Sequence, residues 1–326
     1  MKKAYAVAEF LSEENKHQMK ETAAECGFDI SFYDSFAEAD GKVADGEVLY
    51  CGDDSDVIHQ MPGVRWCHTA FAGVGGLAGS GVFDSGEVLL TNSSGAYGRT
   101  ISEYIVMAAL MLMKRMPDYR KITDERRWDQ GLSSRSVDGS SVVIAGTGDI
   151  GRSAATKLRA LGAKRVTGLN RSGKKPEEFD EVFRMDDFEK VFADRKFADS
   201  VDIFVMCIPG TKESEHILSA GRIAMLSDRT YLINVGRGMT IDQPALVEAL
   251  NEGRIAGAAL DVLYPEPLPA DDPLWTAKNC IITPHMSGDM GLEYTVDRTV
   301  EFFCENLRRY VSGGPLMNLI EIKKGY

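Results

Sequence analysis

Long hydrophobic runs are missing from this chain. The longest uninterrupted apolar stretch, Tyr104 to Met113, is about half of what a bilayer requires, which excludes a spanning helix. The N-terminal Met1-Lys2-Lys3 is followed by a short apolar stretch broken at Glu9; it lacks a signal-peptide core and reads as a first strand. Basic residues are in the minority. With 37 Lys and Arg against 49 Asp and Glu the formal net charge is −12, which argues against nucleic acid or an anionic membrane as the main partner. Cysteine is sparse as well: Cys26, Cys51, Cys67, Cys207, Cys280 and Cys304 are scattered, with no Cys-X-X-Cys spacing. That excludes a zinc site of that type and favours reduced thiols in a cytoplasmic protein, with no metal centre expected. No segment repeats, and none is of low complexity.

What is present is a 326-residue chain long enough for two ordinary domains. Lys3–Ala8, Asp29–Tyr33, Val48–Cys51, Arg65–Ala70 and Val88–Thr91 read as short strands, with a helix over Glu13–Cys26 closed by Gly27. Alternation of this kind predicts an open parallel sheet. A helix from about Arg99 to Met116, ended before Pro117, is apolar nearly all round and should be buried. The polar stretch Asp124 to Ser140 then leads to a second set of strands, at Val201–Ile208, Thr230–Val235, Ala256–Val262 and Cys280–Thr283. Helices lie between them, the clearest being Asp242–Asn251, with Asp242 as N-cap and Gly253 beyond its end. The tail from Leu292 to Tyr310 is amphipathic and helical, and its position after the last strand allows it to cross back to the first domain.

The most informative stretch is Ser141 to Arg152, S-V-V-I-A-G-T-G-D-I-G-R. An apolar strand runs into Gly146, Gly148 and Gly151, and a helical pattern follows through Ile150, Ala154, Leu158 and Leu161. Strand, glycine turn and helix in that order form the pyrophosphate cradle of a dinucleotide-binding unit. The first glycine permits the tight turn, the second lets the backbone approach the phosphates, and the third lets the helix pack on the strand. An NAD site places an acidic residue some 20 positions further on, to hydrogen-bond the ribose. Here the strand Arg165–Leu169 is followed by Asn170-Arg171-Ser172. With no carboxylate to repel it and a guanidinium fork to hold it, a 2′-phosphate is favoured, so NADP(H) is the expected cofactor. The alternative is that Arg171 is a solvated loop cation and the cofactor is NAD(H).

Three further segments sit at or just after strand ends, where ligands bind in such sheets. Asn234-Val235-Gly236-Arg237-Gly238 carries an arginine on a glycine-flanked turn, Leu260 to Pro269 fixes Glu266 between two prolines, and Thr283-Pro284-His285 ends a strand with a histidine. Singly each has a plain alternative: a salt-bridge cation, a loop anion, a turn residue. With a dinucleotide fingerprint, however, a guanidinium, a carboxylate and an imidazole form the set that reduces a 2-oxo acid.

At these residues the chain resembles the D-isomer-specific 2-hydroxyacid dehydrogenases, in particular the glyoxylate/hydroxypyruvate reductase-like and phosphoglycerate dehydrogenase-like members. The likeness runs through Asn92–Glu103, Gly146–Gly151, Asn234–Gly238, Ala259–Pro269 and Pro273-Leu274-Trp275 to Thr283-Pro284-His285, essentially the whole chain. It implies an α/β protein of two doubly wound parallel-sheet domains, with a Rossmann cofactor domain (98–286) inserted into a flavodoxin-like substrate domain (1–97 plus 287–326), and usually a homodimer. It further implies that His285 exchanges the proton at the carbonyl oxygen, that Glu266 fixes the tautomer of His285, and that Arg237 holds the substrate carboxylate. The loop Phe71-Ala72-Gly73-Val74 matches the segment whose amides help hold that carboxylate. Ile208, Pro209, Ser214, Val235, Gly236 and Asp261 match positions lining the cofactor, and Asp149 and Ile150 the pair beside the pyrophosphate. After Gly73-Val74 the family commonly has Asp, where this chain has Gly75-Gly76. His17, His59, His68 and His216 match no catalytic motif, and His68 is expected to be structural. Two rival readings are a dinucleotide-sensing corepressor on the same fold and a formate dehydrogenase-like enzyme. The Arg237, Glu266 and His285 set weighs against the first. The second has no need of a proton-transferring dyad.

Overall fold

The computed structural model describes residues 1–53 and 55–322. It divides into two compact units, Met1–Tyr97 with Asp289–Tyr326, and Gly98–Gly288.

The first unit holds five strands: β1 (Lys2–Val7), β2 (Phe28–Tyr33), β3 (Gly46–Cys51), β4 (Trp66–Thr69) and β5 (Leu89–Thr91). They pair in parallel in the order β2-β1-β3-β4-β5, the flavodoxin-like arrangement. Strand residues alternate between two buried faces. Ala4, Ala6, Val48, Tyr50 and Trp66 face one core, while Tyr5, Val7, Leu49, Cys51 and Cys67 face the other. The amphipathic helix Glu293–Ser312 completes the first core through Val296, Val300, Phe303 and Leu307, and Phe303 stacks on Trp66 with ring centroids 5.4 Å apart. Gly313, in the left-handed region at φ 71°, ends that helix.

The second unit holds β6 (Ser141–Ala145), β7 (Arg165–Asn170), β8 (Glu181–Arg184), β9 (Val201–Met206), β10 (Tyr231–Asn234), β11 (Gly257–Leu260) and β12 (Cys280–Ile282). Their order, β12-β11-β10-β9-β6-β7-β8, is that of a doubly wound dinucleotide fold with a seventh strand, and every pairing is parallel. The strand order therefore reverses beside β6. Asp242 caps the helix Gln243–Asn251 by accepting from the Ala245 amide.

Sequence expectation and structure differ in several places, among them the strand β8, which was not expected. The helix expected over Arg99–Met116 is Gly98–Met113, and a separate helix spans Met116–Asp124. Arg115, at φ 57°, makes the break, and Pro117 lies in the first turn of the second helix, where its missing N–H costs nothing. Nor is the first helix buried all round, since Arg99, Glu103 and Met107 form an exposed stripe. Lastly, β9 to β12 are shorter than their apolar runs. Val235, for example, is buried but has left the ladder to enter the loop that carries Arg237. Among the described residues no helix is long and apolar enough to cross a membrane.

Candidate active site

The turn after β6 is built by its glycines. Gly146 has φ +104°, a conformation that L side chains rarely adopt, and a Cβ there would lie 2.6 Å from the Cys207 carbonyl oxygen. Gly151 sits against the Gly146 carbonyl, so any Cβ would push the helix Asp149–Ala160 off β6. Gly148 has open space around it and leads into that helix's first turn. A cleft of about 500 Å³ lies here, lined by Thr147, Gly148, Asp149, Arg152 and Glu178 among others. Free space over a glycine at a helix N-terminus fits a pyrophosphate. The Asp149 carboxylate lies against Gly98, at the start of the Gly98–Met113 helix, while Ile150 is half-buried. Beneath the turn the Cys207 thiol donates to the Ala145 and Gly146 carbonyls, and burial pushes its pKa up to about 12, so it serves as packing rather than as a nucleophile.

At the end of β7, Asn170 is committed locally. Its Nδ2 donates to Thr147 Oγ1 (2.7 Å) and to the Lys174 carbonyl (2.8 Å), and its Oδ1 accepts from the Gly173 amide (2.6 Å). This side chain ties the glycine turn to the loop after β7. Arg171 and Ser172 are exposed on that loop. Arg171 lies within electrostatic reach of Glu213: the Glu213 carboxyl is lowered mainly by its own backbone amide and by Thr211, with smaller contributions from Arg171 and Lys212. Ser214 is buried and shapes the loop after β9, accepting from the Thr211 amide and donating to the Pro209 carbonyl (both 2.7 Å). Ile208 is half-buried and Pro209 exposed. Gly236 packs directly on Ile208, where a Cβ would meet the Ile208 carbonyl oxygen at 2.5 Å.

Arg237 follows, half-buried, with Nη1 donating to the Gly236 carbonyl (2.7 Å) and no ion pair among the described residues. Its backbone carbonyl is fixed by Asn234 Nδ2 and Thr240 Oγ1. A guanidinium held on a strand-end turn without a carboxylate is a ready anion receptor. Glu266 and His285, 19 residues apart, meet through Oε2 and Nδ1 at 2.8 Å. Glu266 Oε1 also accepts from the Leu263 amide at 2.7 Å, which fixes the carboxylate. The ring's Nε2 has no partner among the described residues. His285 sits in the left-handed region at φ 54°. Asp261, 1% exposed, holds it there: its backbone carbonyl accepts from the His285 amide, and its carboxylate accepts from Thr283 Oγ1, the Met286 amide and the Ser287 amide. Sequence reasoning placed Asp261 beside the cofactor and did not see this clamp, whose partners lie 22 to 26 residues away.

In the first unit, Phe71–Val74 follows β4. Two supports of this loop carry no local sequence signal: Asn92 Nδ2 donates to the Ala72 carbonyl, and Asp53 accepts from the Gly76 and Leu77 amides. His68 is fully buried between Thr91 and Ser93 hydroxyls at 2.7 and 3.1 Å, and burial depresses its pKa to about 3. All six cysteines are free, and no metal-binding group of side chains occurs among the described residues.

A Rossmann sheet with this glycine turn, and strand ends carrying an arginine with no ion pair among the described residues and a carboxylate–imidazole pair, fits the class of nicotinamide-dependent oxidoreductases. Residues 106–287 match the family model for the D-isomer specific 2-hydroxyacid dehydrogenase NAD-binding domain, and the chain belongs to that family. The glyoxylate/hydroxypyruvate reductase A of Yersinia enterocolitica is 28% identical over 76% of this chain and 75% of its own. A family protein from Aeromonas salmonicida superposes with a TM-score of 0.82 at 30% identity, covering 98% of this chain and 99% of the other. A D-isomer specific 2-hydroxyacid dehydrogenase from Xanthobacter autotrophicus, solved with NADPH and MES, gives 0.81 at 25% identity and 99% coverage of both. The chain is thus an NAD(P)-dependent 2-hydroxyacid dehydrogenase. The corepressor reading finds no support in these relatives.

Proposed function

We propose that this enzyme is an NADP(H)-dependent reductase of a small 2-oxo acid, such as glyoxylate or hydroxypyruvate, giving the D-2-hydroxy acid. The observation that carries the reading is the 2.8 Å contact of Glu266 with His285 Nδ1, which leaves Nε2 uncommitted. The nicotinamide cofactor, held by Gly146–Gly151 and the strand-end residues, supplies the hydride when bound. Arg237 takes the substrate carboxylate and orients the carbonyl. His285 Nε2 gives its proton to the carbonyl oxygen, and Glu266 fixes the tautomer that makes this possible. The amides of Ala72, Gly73 and Val74 suit an acidic substrate group, which makes the first unit the substrate domain and the second the dinucleotide domain. NADP(H) is favoured by Arg171 and Ser172, and by the absence of a carboxylate at Asn170. The relatives named for glyoxylate and hydroxypyruvate, and the neighbour solved with NADPH, support this choice.

The half-exposed apolar face of the Gly98–Met113 helix, with Met107 41% and the nearby-in-sequence Met116 47% exposed, suits a homodimer contact. Free cysteines suit a reducing, cytoplasmic setting. The test is NADPH oxidation, followed at 340 nm, with a panel of 2-oxo acids. We expect turnover with glyoxylate or hydroxypyruvate that His285→Ala abolishes. Absence of turnover across the panel, or an unaffected His285→Ala variant, would overturn the assignment.

A further inference from the structure

The loop after β4 has the carbonyls of Phe71 and Ala72 tied, while the Phe71 amide donates to Thr69 Oγ1. The Phe71 carbonyl accepts from the Ser93 amide (3.1 Å), and the Ala72 carbonyl accepts from Asn92 Nδ2 (2.6 Å). Among the described residues, the amides of Ala72, Gly73 and Val74 donate to nothing. A peptide whose carbonyl is pinned cannot rotate freely, so the N–H of the next residue keeps one direction, and an unpaired amide is a donor available to an anion. Asn92 is only 4% exposed and every one of its hydrogen-bonding groups is engaged. Its Oδ1 accepts from the Ser94 amide, its own amide donates to the Asn318 carbonyl, and its carbonyl accepts from Asn318 Nδ2. Asn318 also donates to the Ser94 carbonyl at 2.7 Å and belongs to the C-terminal segment, which bridges β5 at Leu319. The carboxamide is the right group here, since it presents a donor to the Ala72 carbonyl and an acceptor to the Ser94 amide at the same time.

We infer that Asn92 is a positioning residue for substrate: its side-chain amide pins the Ala72–Gly73 peptide and so fixes the Gly73 amide that this loop offers to the acidic group of the substrate, and Asn318 from the C-terminal segment braces it. This rests on the proposed role of that loop. Asn92→Asp keeps the acceptor for the Ser94 amide and removes only the donor, leaving a carboxylate against the Ala72 carbonyl. The experiment measures kcat and KM for glyoxylate and hydroxypyruvate, the inhibition constant of the unreactive analogue oxamate, and the dissociation constant of NADPH. Losing one buried hydrogen bond of this kind is expected to raise KM and the oxamate constant together by roughly tenfold or more. kcat is expected to stay within about threefold and NADPH affinity to be unchanged, a split that general loss of structure does not produce. Should Asn92→Asp fail to fold, Asn318→Ala carries the test, with a smaller rise in the same two quantities. A parent enzyme without 2-oxo acid turnover overturns the functional reading and this inference with it. An active parent whose KM and oxamate constant do not move in the folded variant overturns the inference alone.

Discussion

Arg171 and Arg237 are both arginines at strand ends, yet they are asked to do different things. Arg171 is exposed, on a loop that Asn170 stiffens through Thr147, so it is suited to a phosphate that arrives with the cofactor. Arg171→Asp removes that partner and adds a repelling charge. On the scale of one charge-assisted hydrogen bond, the NADPH-to-NADH ratio of kcat/KM should fall by roughly ten- to a hundredfold. Initial rates with both cofactors measure it, and a parent that already prefers NADH would show the cofactor assignment to be wrong. Arg237 is half-buried, with its backbone pinned by Asn234 and Thr240 and without an ion pair among the described residues. Lysine there keeps the charge and loses the planar fork. Arg237→Lys is expected to keep its fold and NADPH affinity while losing roughly a hundredfold or more in kcat/KM, as when two charge-assisted hydrogen bonds become one or none. Near-normal turnover would make Arg237 structural.

At the scale of elements, the glycine turn was legible because its signal is local. A buried strand, three glycines and a helical period lie within a dozen or so residues, and the geometry that they require is set by their own backbone. Gly151→Ala makes the point testable. Its Cβ would meet the Gly146 carbonyl, so the helix must shift from β6. The variant should lose NADPH affinity in a titration and be less stable by about 1–3 kcal/mol, the usual cost of overpacking. A variant with unchanged affinity would show that the helix has room to move. The break at Arg115 was not legible for the complementary reason. Proline is tolerated in a helix's first turn as readily as it ends one, and the apolar run to Met113 resumes at Met116 after only Lys114 and Arg115. Element boundaries near the site were displaced in the same way, because residues such as Val235 stay buried after they leave the ladder.

At the scale of the molecule, His68 links the core to stability. It is buried against Tyr50 and Trp66, with ring-centroid distances of 5.9 and 6.2 Å, and is held neutral by burial, its pKa pushed down to about 3 from an ordinary value near 6.5. The unfolded chain therefore binds a proton that the folded chain refuses. The His68 contribution is complete above about pH 6.5 and is lost as pH falls from there towards 3, at up to about 1.4 kcal/mol per pH unit. Denaturation midpoints measured from pH 7 to pH 4 should fall more steeply for the parent than for His68→Gln, which keeps polar groups but cannot titrate; parallel slopes would remove His68 as the cause.

The chain alone was enough to read the parallel α/β class, the glycine turn and the candidate groups for the chemistry. Each of those is written in the period, the glycines or the residue types of one short segment. Tertiary structure alone decided which groups support them. Asn92 reaches the Ala72 carbonyl across 20 positions and is braced by Asn318 across 226, and the Asp261 clamp on His285 closes over residues beyond 20 positions away. Such partners are chosen by strand order and register, which bring distant loops to the same end of a sheet. A polar residue's own neighbours in sequence carry no trace of that choice.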